Sequence, residues 1–298
     1  MKPIGKLVVI GAGLIGGSFA LAMRRSGATS NVLGVGRGKA NLDTARRLGL
    51  VDRALTLEEP WTTELNDADL VFVATPVGEM PALFAKIGQH IGSATVVTDA
   101  GSTKQDVISA ARWHLGAALP RFVPGHPIAG TEHSGASAAF DALFRDRQVV
   151  LTPLPETDTA ALALVTDCWK RCGASVRRVD AGRHDAILSA VSHLPHVLAF
   201  ALMAELAARD DADELFDLAG SGLRDITRLA SSHASLWRDV CLANREALRH
   251  DIARYRQELD RIDALLERRD GEALLALFAR ARAARDAWLA RASGADEA

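Results

Sequence analysis

The feature that most constrains this chain is a set of glycines directly after an apolar run near its start. The run Lys6–Ile10 predicts a buried strand, and Gly11, Gly13 and Gly16 follow it with G-x-G-x-x-G spacing, ahead of a helix-like stretch at Phe19–Arg25. In this setting the first glycine permits a tight turn, the second lets a pyrophosphate approach the backbone, and the third lets the helix lie close to the strand. The pattern therefore predicts a dinucleotide-binding fold.

The residues after the second predicted strand bear on which dinucleotide binds. An NAD site usually has Asp or Glu about 20 residues after the glycines, to bind the ribose hydroxyls. Here the chain reads Val35-Gly36-Arg37-Gly38-Lys39, without an acid. A guanidinium at Arg37 suits the 2′-phosphate of NADP, although a solvated arginine in a polar loop is the alternative. We expect NADP, with NAD as the second possibility. The other residues expected at the cofactor are Leu14, Ile15, Thr75, Pro76 and Asp99.

Composition narrows the class of protein. A net charge of −2 over 298 residues argues against general binding to nucleic acid or to a membrane surface. The N-terminus shows no secretory leader and no run of about 18 uninterrupted apolar residues occurs, so a cytoplasmic protein is expected. Cys168 and Cys172 have helical i, i+4 spacing, which favours free buried thiols over a redox pair.

The first 180 residues alternate short β-branched runs with helical stretches, which predicts an α/β domain of Rossmann type with a mostly parallel sheet. The predicted strands are Lys6–Ile10, Asn31–Val35, Leu70–Ala74, Thr95–Asp99, Arg121–Pro124, Gln148–Thr152 and Ser175–Val179. Residues 181–298 are rich in Ala, Leu and Arg at helical spacing and predict an all-α domain. In it, Asp185–Arg209 is apolar all round, as expected of a helix buried in the domain or in a dimer interface, and helices at Trp237–Arg268 and Gly271–Ala292 are amphipathic.

His126 is the best candidate for proton transfer. It lies in Gly125-His126-Pro127 after a predicted strand, where ligands of such sheets bind, and histidine titrates in the range that a base for an alcohol needs. The alternative is a loop histidine that caps a turn. Ser102, after the preceding strand, is expected to hydrogen-bond to His126 or to a substrate hydroxyl, or instead to cap the helix that starts near Lys104.

Two further clusters lie in the helical part. His193 and His196 lie three residues apart beside Pro195, near one helix face, and favour an anion or hydroxyl site. No third ligand of matching spacing stands nearby, so no metal is expected. Arg224 and Arg228, at i, i+4, suit a substrate with two carboxylates, or pair with Asp225 or Asp239.

These segments together resemble the prephenate/arogenate dehydrogenases, also called cyclohexadienyl dehydrogenases, of tyrosine biosynthesis. The matching motifs are Gly11-Ala-Gly-Leu-Ile-Gly-Gly-Ser18, Ala74-Thr-Pro76, Asp99-Ala-Gly-Ser-Thr-Lys104, Gly125-His-Pro-Ile-Ala-Gly-Thr-Glu132, Ser192-His-Leu-Pro-His196 and Arg224-Asp-Ile-Thr-Arg228. They run in order along nearly the whole chain. The resemblance implies oxidative decarboxylation of prephenate or arogenate with NAD(P), in a homodimer formed through the helical domain.

The resemblance also implies roles for single residues. His126 would accept the proton of the ring hydroxyl with help from Ser102, His196 would help to hold the substrate, and Arg228 would bind a substrate carboxylate. His193, Thr131 and Glu132 are expected at the substrate as well. Asp146 offers a carboxylate to the ammonium of arogenate, or is a turn residue that pairs with Arg145 or Arg147.

Two other functions compete. The first is a different two-domain hydroxyacid dehydrogenase; because no lysine follows Lys170, the 3-hydroxyacid dehydrogenases with a catalytic lysine in the helical domain are disfavoured. The second is a nucleotide-binding sensor without turnover, against which His126 and Ser102 argue.

Overall fold

A computed structural model describes residues 4–131 and 133–294. The strands are β1 (Leu7–Ile10), β2 (Val32–Gly36), β3 (Arg53–Thr56), β4 (Leu70–Val73), β5 (Val96–Asp99), β6 (Phe122–Val123), β7 (Gly125–Pro127), β8 (Gln148–Leu151) and β9 (Ser175–Arg178). The helices are α1 (Leu14–Arg25), α2 (Lys39–Arg47), α3 (Met80–His90), α4 (Gln105–His114), α5 (Thr159–Arg171), α6 (Ala181–Leu188), α7 (Leu194–Ala207), α8 (Ala212–Asp217), α9 (Ser221–Thr227), α10 (Ala234–Ala243), α11 (Arg245–Glu267) and α12 (Gly271–Gly294).

Six strands form a parallel sheet in the order β3-β2-β1-β4-β5-β6. This is the doubly wound order, with the chain reversing direction across the sheet between β1 and β4, where dinucleotides bind. A second sheet has the order β7-β8-β9, in which β7 is antiparallel to β8 and β9 is parallel to it. The α/β prediction and the seven predicted strands are confirmed, whereas β3 and β7 were not predicted.

Both faces of the six-stranded sheet are covered. Along β1, Leu7 and Val9 belong to one apolar cluster and Val8 and Ile10 to the other, because successive side chains of a strand point to opposite faces. Phe19 of α1 packs on Phe72 of β4 with ring centroids 4.4 Å apart. A strand buried on both faces reads as a continuous apolar run, which explains why β1 was visible in the sequence.

The helical part differs from the prediction in two places. The predicted helix Asp185–Arg209 is α6 and α7, joined by a π-helical turn at Ser189–His193 just before Pro195. A proline inside a helix lacks an N–H and clashes with the carbonyl four residues earlier, so the wider turn relieves it. The predicted helix Trp237–Arg268 is broken at Asn244 into α10 and α11.

By compactness of packing, the chain divides into two units at residue 248. The first holds both sheets and the helices through α10, and the second comprises most of α11 with α12. The change from alternating strands to helices does occur where β9 ends at Arg178 and α6 begins at Ala181. The segment 181–207 is also the one helical stretch of the described residues that is apolar and long enough to cross a membrane, by length and composition alone.

Candidate active site

The glycine loop has the geometry of a pyrophosphate cradle. Gly11 has φ +99°, and a Cβ there would lie 2.5 Å from the carbonyl oxygen of Ala74. A Cβ on Gly16 would lie 2.2 Å from the carbonyl oxygen of Gly11, so only glycine fits. Gly13 begins α1 without a side-chain cap, which leaves the first N–H groups of the helix, including those of Leu14 and Ile15, for an anion.

Thr75 follows β4 beside this loop. Its buried hydroxyl has no hydrogen-bond partner among the described residues, and its methyl group would touch a Cβ on Gly11 at 3.2 Å. Pro76 next to it is partly exposed. An unsatisfied buried hydroxyl beside a phosphate cradle fits a site that a bound dinucleotide completes.

Arg37 lies after β2 with its side chain 71% exposed, and its Nη1 is 2.8 Å from Oε1 of Glu79. Helix α2 begins two residues later with Gly38 as its N-cap and no side-chain cap. A guanidinium beside helical N–H groups that no side chain caps is suited to bind a phosphate. One of its nitrogens, Nη1, already pairs with the carboxylate of Glu79.

Asp99, expected at the cofactor, is engaged by other parts of the protein. Its side chain is fully buried, and its carboxylate accepts hydrogen bonds from the backbone N–H groups of Gly101 (2.7 Å) and Gly125 (3.1 Å) and pairs with the ammonium of Lys104. Lys104 is buried too and also donates to the carbonyl of Gly125 at 2.8 Å. Asp99 therefore links the loop after β5 to Gly125, the first residue of β7.

This buried ion pair supports the backbone that carries His126. Gly125 is fixed through its N–H by Asp99 and through its carbonyl by Lys104, and His126 follows it in β7, opposite Val150. His126 as a residue is partly exposed. Desolvation by the surrounding protein, reinforced by the electrostatic effects of the neighbouring His184, Lys104 and His193, lowers the pKa of His126 well below its ordinary value of 6.5.

A second histidine touches this ring. Nδ1 of His126 is 2.9 Å from Nε2 of His184, and Nδ1 of His184 is 2.7 Å from Oδ1 of Asp185. Both residues of α6 are buried. The carboxylate of Asp185 also accepts the backbone N–H groups of Lys104 (2.8 Å) and Gln105 (2.9 Å), and so caps α4 from another helix.

The capping of α4 by Asp185 decides whether Ser102 is the cap of that helix. Ser102 is partly exposed between β5 and α4, and α4 has no side-chain cap of its own because Asp185 takes its first N–H groups. The alternative of Ser102 as the helix cap is therefore wrong, and its role next to His126 stays a prediction.

His193 and His196 belong to a buried polar cluster. His193 is fully buried, and its Nδ1 lies 3.2 Å from Nδ2 of Asn244, while its Nε2 has no partner among the described residues. Burial lowers the pKa of His193 to about 4. His196 donates from Nδ1 to the carbonyl of Ser192 at 2.9 Å and stacks on Trp237, with ring centroids 3.5 Å apart.

Arg228 lies within electrostatic reach of this cluster. Burial and, to a smaller extent, the charge of Arg228 lower the pKa of His196, against the effect of its hydrogen bond to Ser192. Arg228 is exposed and starts a short 3₁₀ turn after α9, so it does not share a continuous helix with Arg224. Within the described residues neither arginine pairs with Asp239, which binds Arg238.

Three candidates for substrate binding remain, namely Thr131, Glu132 and Asp146. Thr131 is exposed, and its hydroxyl accepts the N–H of His133 at 3.2 Å. Glu132 lies outside the described residues. Asp146 has φ 59° and gives its N–H to Gly173 at 3.0 Å, four residues before Val150 in the strand pair with His126. Its left-handed conformation is typical of an Asp in a turn, and it stays outside the substrate site that we propose.

The sequence reasoning missed the residues that support the histidines, namely Lys104, His184, Asp185, Trp237 and Asn244. A usable signal existed for Asp185, because a carboxylate inside an otherwise apolar helical stretch needs a partner. Cys168 and Cys172 are free and buried, as predicted, and burial raises the pKa of the Cys168 thiol to about 12. No group of three or more His, Cys, Asp or Glu side chains suited to a metal ion occurs in residues 4–131 and 133–294.

Two family models match the chain in succession. Residues 19–178 match "Prephenate dehydrogenase, nucleotide-binding domain", and residues 180–280 match "Prephenate dehydrogenase, dimerization domain". The prephenate dehydrogenase of Bacillus subtilis (strain 168) is 32% identical over 291 residues, which cover 97% of this chain and 77% of that protein.

Solved structures agree over both regions. A prephenate dehydrogenase from Aquifex aeolicus, in complex with hydroxyphenyl propionate and NAD⁺, superposes with a TM-score of 0.87 at 32% identity and covers 95% of this chain and 97% of its own. The arogenate dehydrogenase of Synechocystis has a TM-score of 0.79 at 30% identity, with coverage of 95% and 99%.

Proposed function

Because the chain belongs to the prephenate dehydrogenase family, we propose that it catalyses the NAD(P)-dependent oxidative decarboxylation of prephenate, arogenate or both. The observation that carries the proposal is the position of His126. It follows the C-terminal edge of the parallel sheet, on the same edge as the glycine loop, and its low pKa leaves an unprotonated ring for use as a base at neutral pH.

The reaction needs a proton acceptor that later becomes a donor. His126 accepts the hydroxyl proton as the ring carbon is oxidised, and a bound nicotinamide would take up the hydride. The carbon–carboxylate bond then breaks, its electron pair enters the ring as carbon dioxide departs, and the proton returns from His126 to the ring oxygen, which gives a phenol. We assign to Ser102 a hydrogen bond to the same hydroxyl. Because the product is aromatic, the reaction runs in one direction.

The helical part supplies the substrate contacts. Arg228 binds the side-chain carboxylate, and the unpartnered Nε2–H of His193 donates to a substrate oxygen. Nε2 of His196 is a hydrogen-bond acceptor, because Nδ1 carries the proton that is donated to the carbonyl of Ser192. A ring carboxylate that has no cationic partner is lost as carbon dioxide more readily, because its negative charge is poorly stabilised in the bound substrate and disappears as the bond breaks.

The test is reduction of the cofactor, followed by absorbance near 340 nm, with each substrate and each of NADP and NAD. His126→Asn is the matched variant, since an asparagine amide can replace Nδ1 toward His184 but offers no base. We expect turnover in the wild type and a loss of about 10²- to 10⁴-fold in His126→Asn, with cofactor affinity retained. A wild type that turns over neither prephenate nor arogenate contradicts the proposal.

The residues present fit a dinucleotide, because the glycine cradle excludes any Cβ at Gly11 and Gly16 and Thr75 has an unsatisfied hydroxyl. When bound, the nicotinamide accepts the hydride. Within this fit we propose a preference for NADP, supported by Arg37 beside the free N-terminus of α2.

Arg37→Asp should raise the KM for NADP far more than that for NAD. Glu79→Gln is the complementary variant: freeing the guanidinium from its carboxylate should lower the KM for NADP and leave that for NAD unchanged. Equal effects of Arg37→Asp on both cofactors would remove the 2′-phosphate from the role of Arg37.

We also propose a cytoplasmic homodimer formed through the helical region. Only Ala199 is buried in α7 within this chain, although the helix is strongly apolar. A groove of about 460 Å³ beside it is lined by Phe200, Met203 and Ala230 among others. An apolar helix of this kind is stable in water when a second copy covers it. Light scattering should give twice the mass of the chain, and a monomer at micromolar concentration would contradict this.

A further inference from the structure

We propose that His184 and Asp185 are positioning residues that fix the tautomer of His126, so that its Nε2 is the unprotonated nitrogen that faces the substrate. The proposal deepens the proposed function and rests on it for the role of His126 as base. It assigns a function to the hydrogen-bonded series His126–His184–Asp185, whose two contacts are 2.9 and 2.7 Å long.

The series starts from the carboxylate. Asp185 is buried, and burial alone would raise its pKa, but hydrogen bonds from His184 and from the backbone N–H groups of Gln105 and Lys104 lower it overall. An ionised carboxylate only accepts hydrogen bonds. The nitrogen of His184 that lies 2.7 Å from it, Nδ1, must therefore carry a proton.

The remaining assignments follow in order. A neutral His184 with its proton on Nδ1 has a lone pair on Nε2, which accepts a hydrogen bond. The partner at 2.9 Å, Nδ1 of His126, must then be the donor. With its proton on Nδ1, neutral His126 has its lone pair on Nε2, the atom free to accept the hydroxyl proton. A doubly protonated His184 would force the opposite tautomer, in which Nε2 of His126 carries the proton and cannot act as base.

The same series stabilises the charge that forms during the reaction. Once Nε2 of His126 accepts the substrate proton, the imidazolium strengthens its bond from Nδ1 to His184, which is polarised by Asp185. The proton returns from Nε2 to the ring oxygen, so His184 and Asp185 gain and lose none. The charged or titratable groups that face His126 are His184 and Asp185 on α6, Lys104 before α4, and His193 on the π-helical turn.

The direct test reads the tautomer without any turnover. The chain is labelled with ¹⁵N in its histidine side chains, and the ring resonances of His126 are assigned by their loss in His126→Asn. At pH 7.5, with NADP bound, we expect a protonated Nδ1 and an unprotonated Nε2. A proton on Nε2, or an even mixture of both tautomers, overturns the proposal. The result does not depend on which substrate the enzyme uses, so failure here is distinct from failure to turn over prephenate or arogenate.

A pair of variants tests the consequence for catalysis. His184→Leu removes the acceptor for Nδ1 of His126, and we expect kcat to fall on the order of 100-fold while the KM values change less than about threefold. His184→Gln restores an acceptor oxygen at the place of Nε2 and should recover about tenfold or more of that loss. Equal activity of the Leu and Gln variants would overturn the proposal. If His184→Leu does not fold, the ¹⁵N spectrum of the wild type decides the question alone.

Discussion

His193 makes the stability of this protein depend on pH in a way that can be calculated. Its side chain is fully buried, and burial lowers its pKa from 6.5 to about 4. Between these values the unfolded chain binds more protons at this position than the folded chain, so stability is complete above pH 6.5 and is lost as the pH falls towards 4. Linkage gives a loss of about 2 kcal/mol by pH 5 and a total of about 3 kcal/mol below pH 4.

The variant His193→Asn isolates this contribution. An asparagine carbonyl can accept from Asn244, as Nδ1 of His193 does, but it does not titrate. Urea unfolding at one protein concentration, from pH 8 to pH 5, should show the stability gap between the wild type and His193→Asn shrink by about 2 kcal/mol. The exposed His90→Asn serves as the control and should track the wild type. A gap that stays constant over this range refutes the reasoning.

Three further outcomes follow from the same geometry. Since burial lowers the pKa of His126 well below 6.5, the acid limb of kcat/KM should lie below the ordinary pKa of histidine; an acid limb centred at or above 6.5 would contradict this. Gly16→Ala should destabilise the fold, because its Cβ would lie 2.2 Å from a backbone carbonyl of the glycine loop. Gly13→Ala should fold normally, since no atom lies closer than 3.9 Å to its Cβ, but should bind cofactor less tightly. Thermal melts with and without NADP would show both effects. Arg228→Gln should raise the KM for substrate by about 10- to 100-fold while Arg224→Gln changes it little, and equal effects would place both at the substrate.

The parts of the fold that the sequence predicts are those with a local signal. Strand β1 and the glycine loop are continuous in the chain. Gly16 is required by the carbonyl of Gly11, five residues before it, and Gly11 by the carbonyl of Ala74 after the adjoining strand β4. Strand β3 gave no such signal because it lies at the edge of the sheet, is only partly buried, and contains Arg53 and Thr56. Strand β7 has three residues, of which one is a proline.

The site was harder to predict where a polar side chain forms hydrogen bonds to other parts of the protein and not to a ligand. Asp99 ends a buried strand at the ligand edge of the sheet, which is the usual place for a binding carboxylate. Its partners are the N–H of Gly125, 26 residues away, and the ammonium of Lys104. Only the folded chain brings these donors together, so a local pattern could identify the edge but could not say whether Asp99 faces a ligand or holds the loops.

The same reasoning explains why the compact unit that holds both sheets extends beyond residue 180. Asp185 lies five residues beyond it, yet its carboxylate binds the first two N–H groups of α4 and, through His184, the ring of His126. A buried carboxylate is stable only with such donors, and removing them leaves a desolvated charge that costs several kcal/mol. Helix α6 is therefore fixed to the sheet domain by the same contacts that we propose to orient His126. We infer that separating the two regions at residue 180 would disrupt the site before it disrupted the sheet.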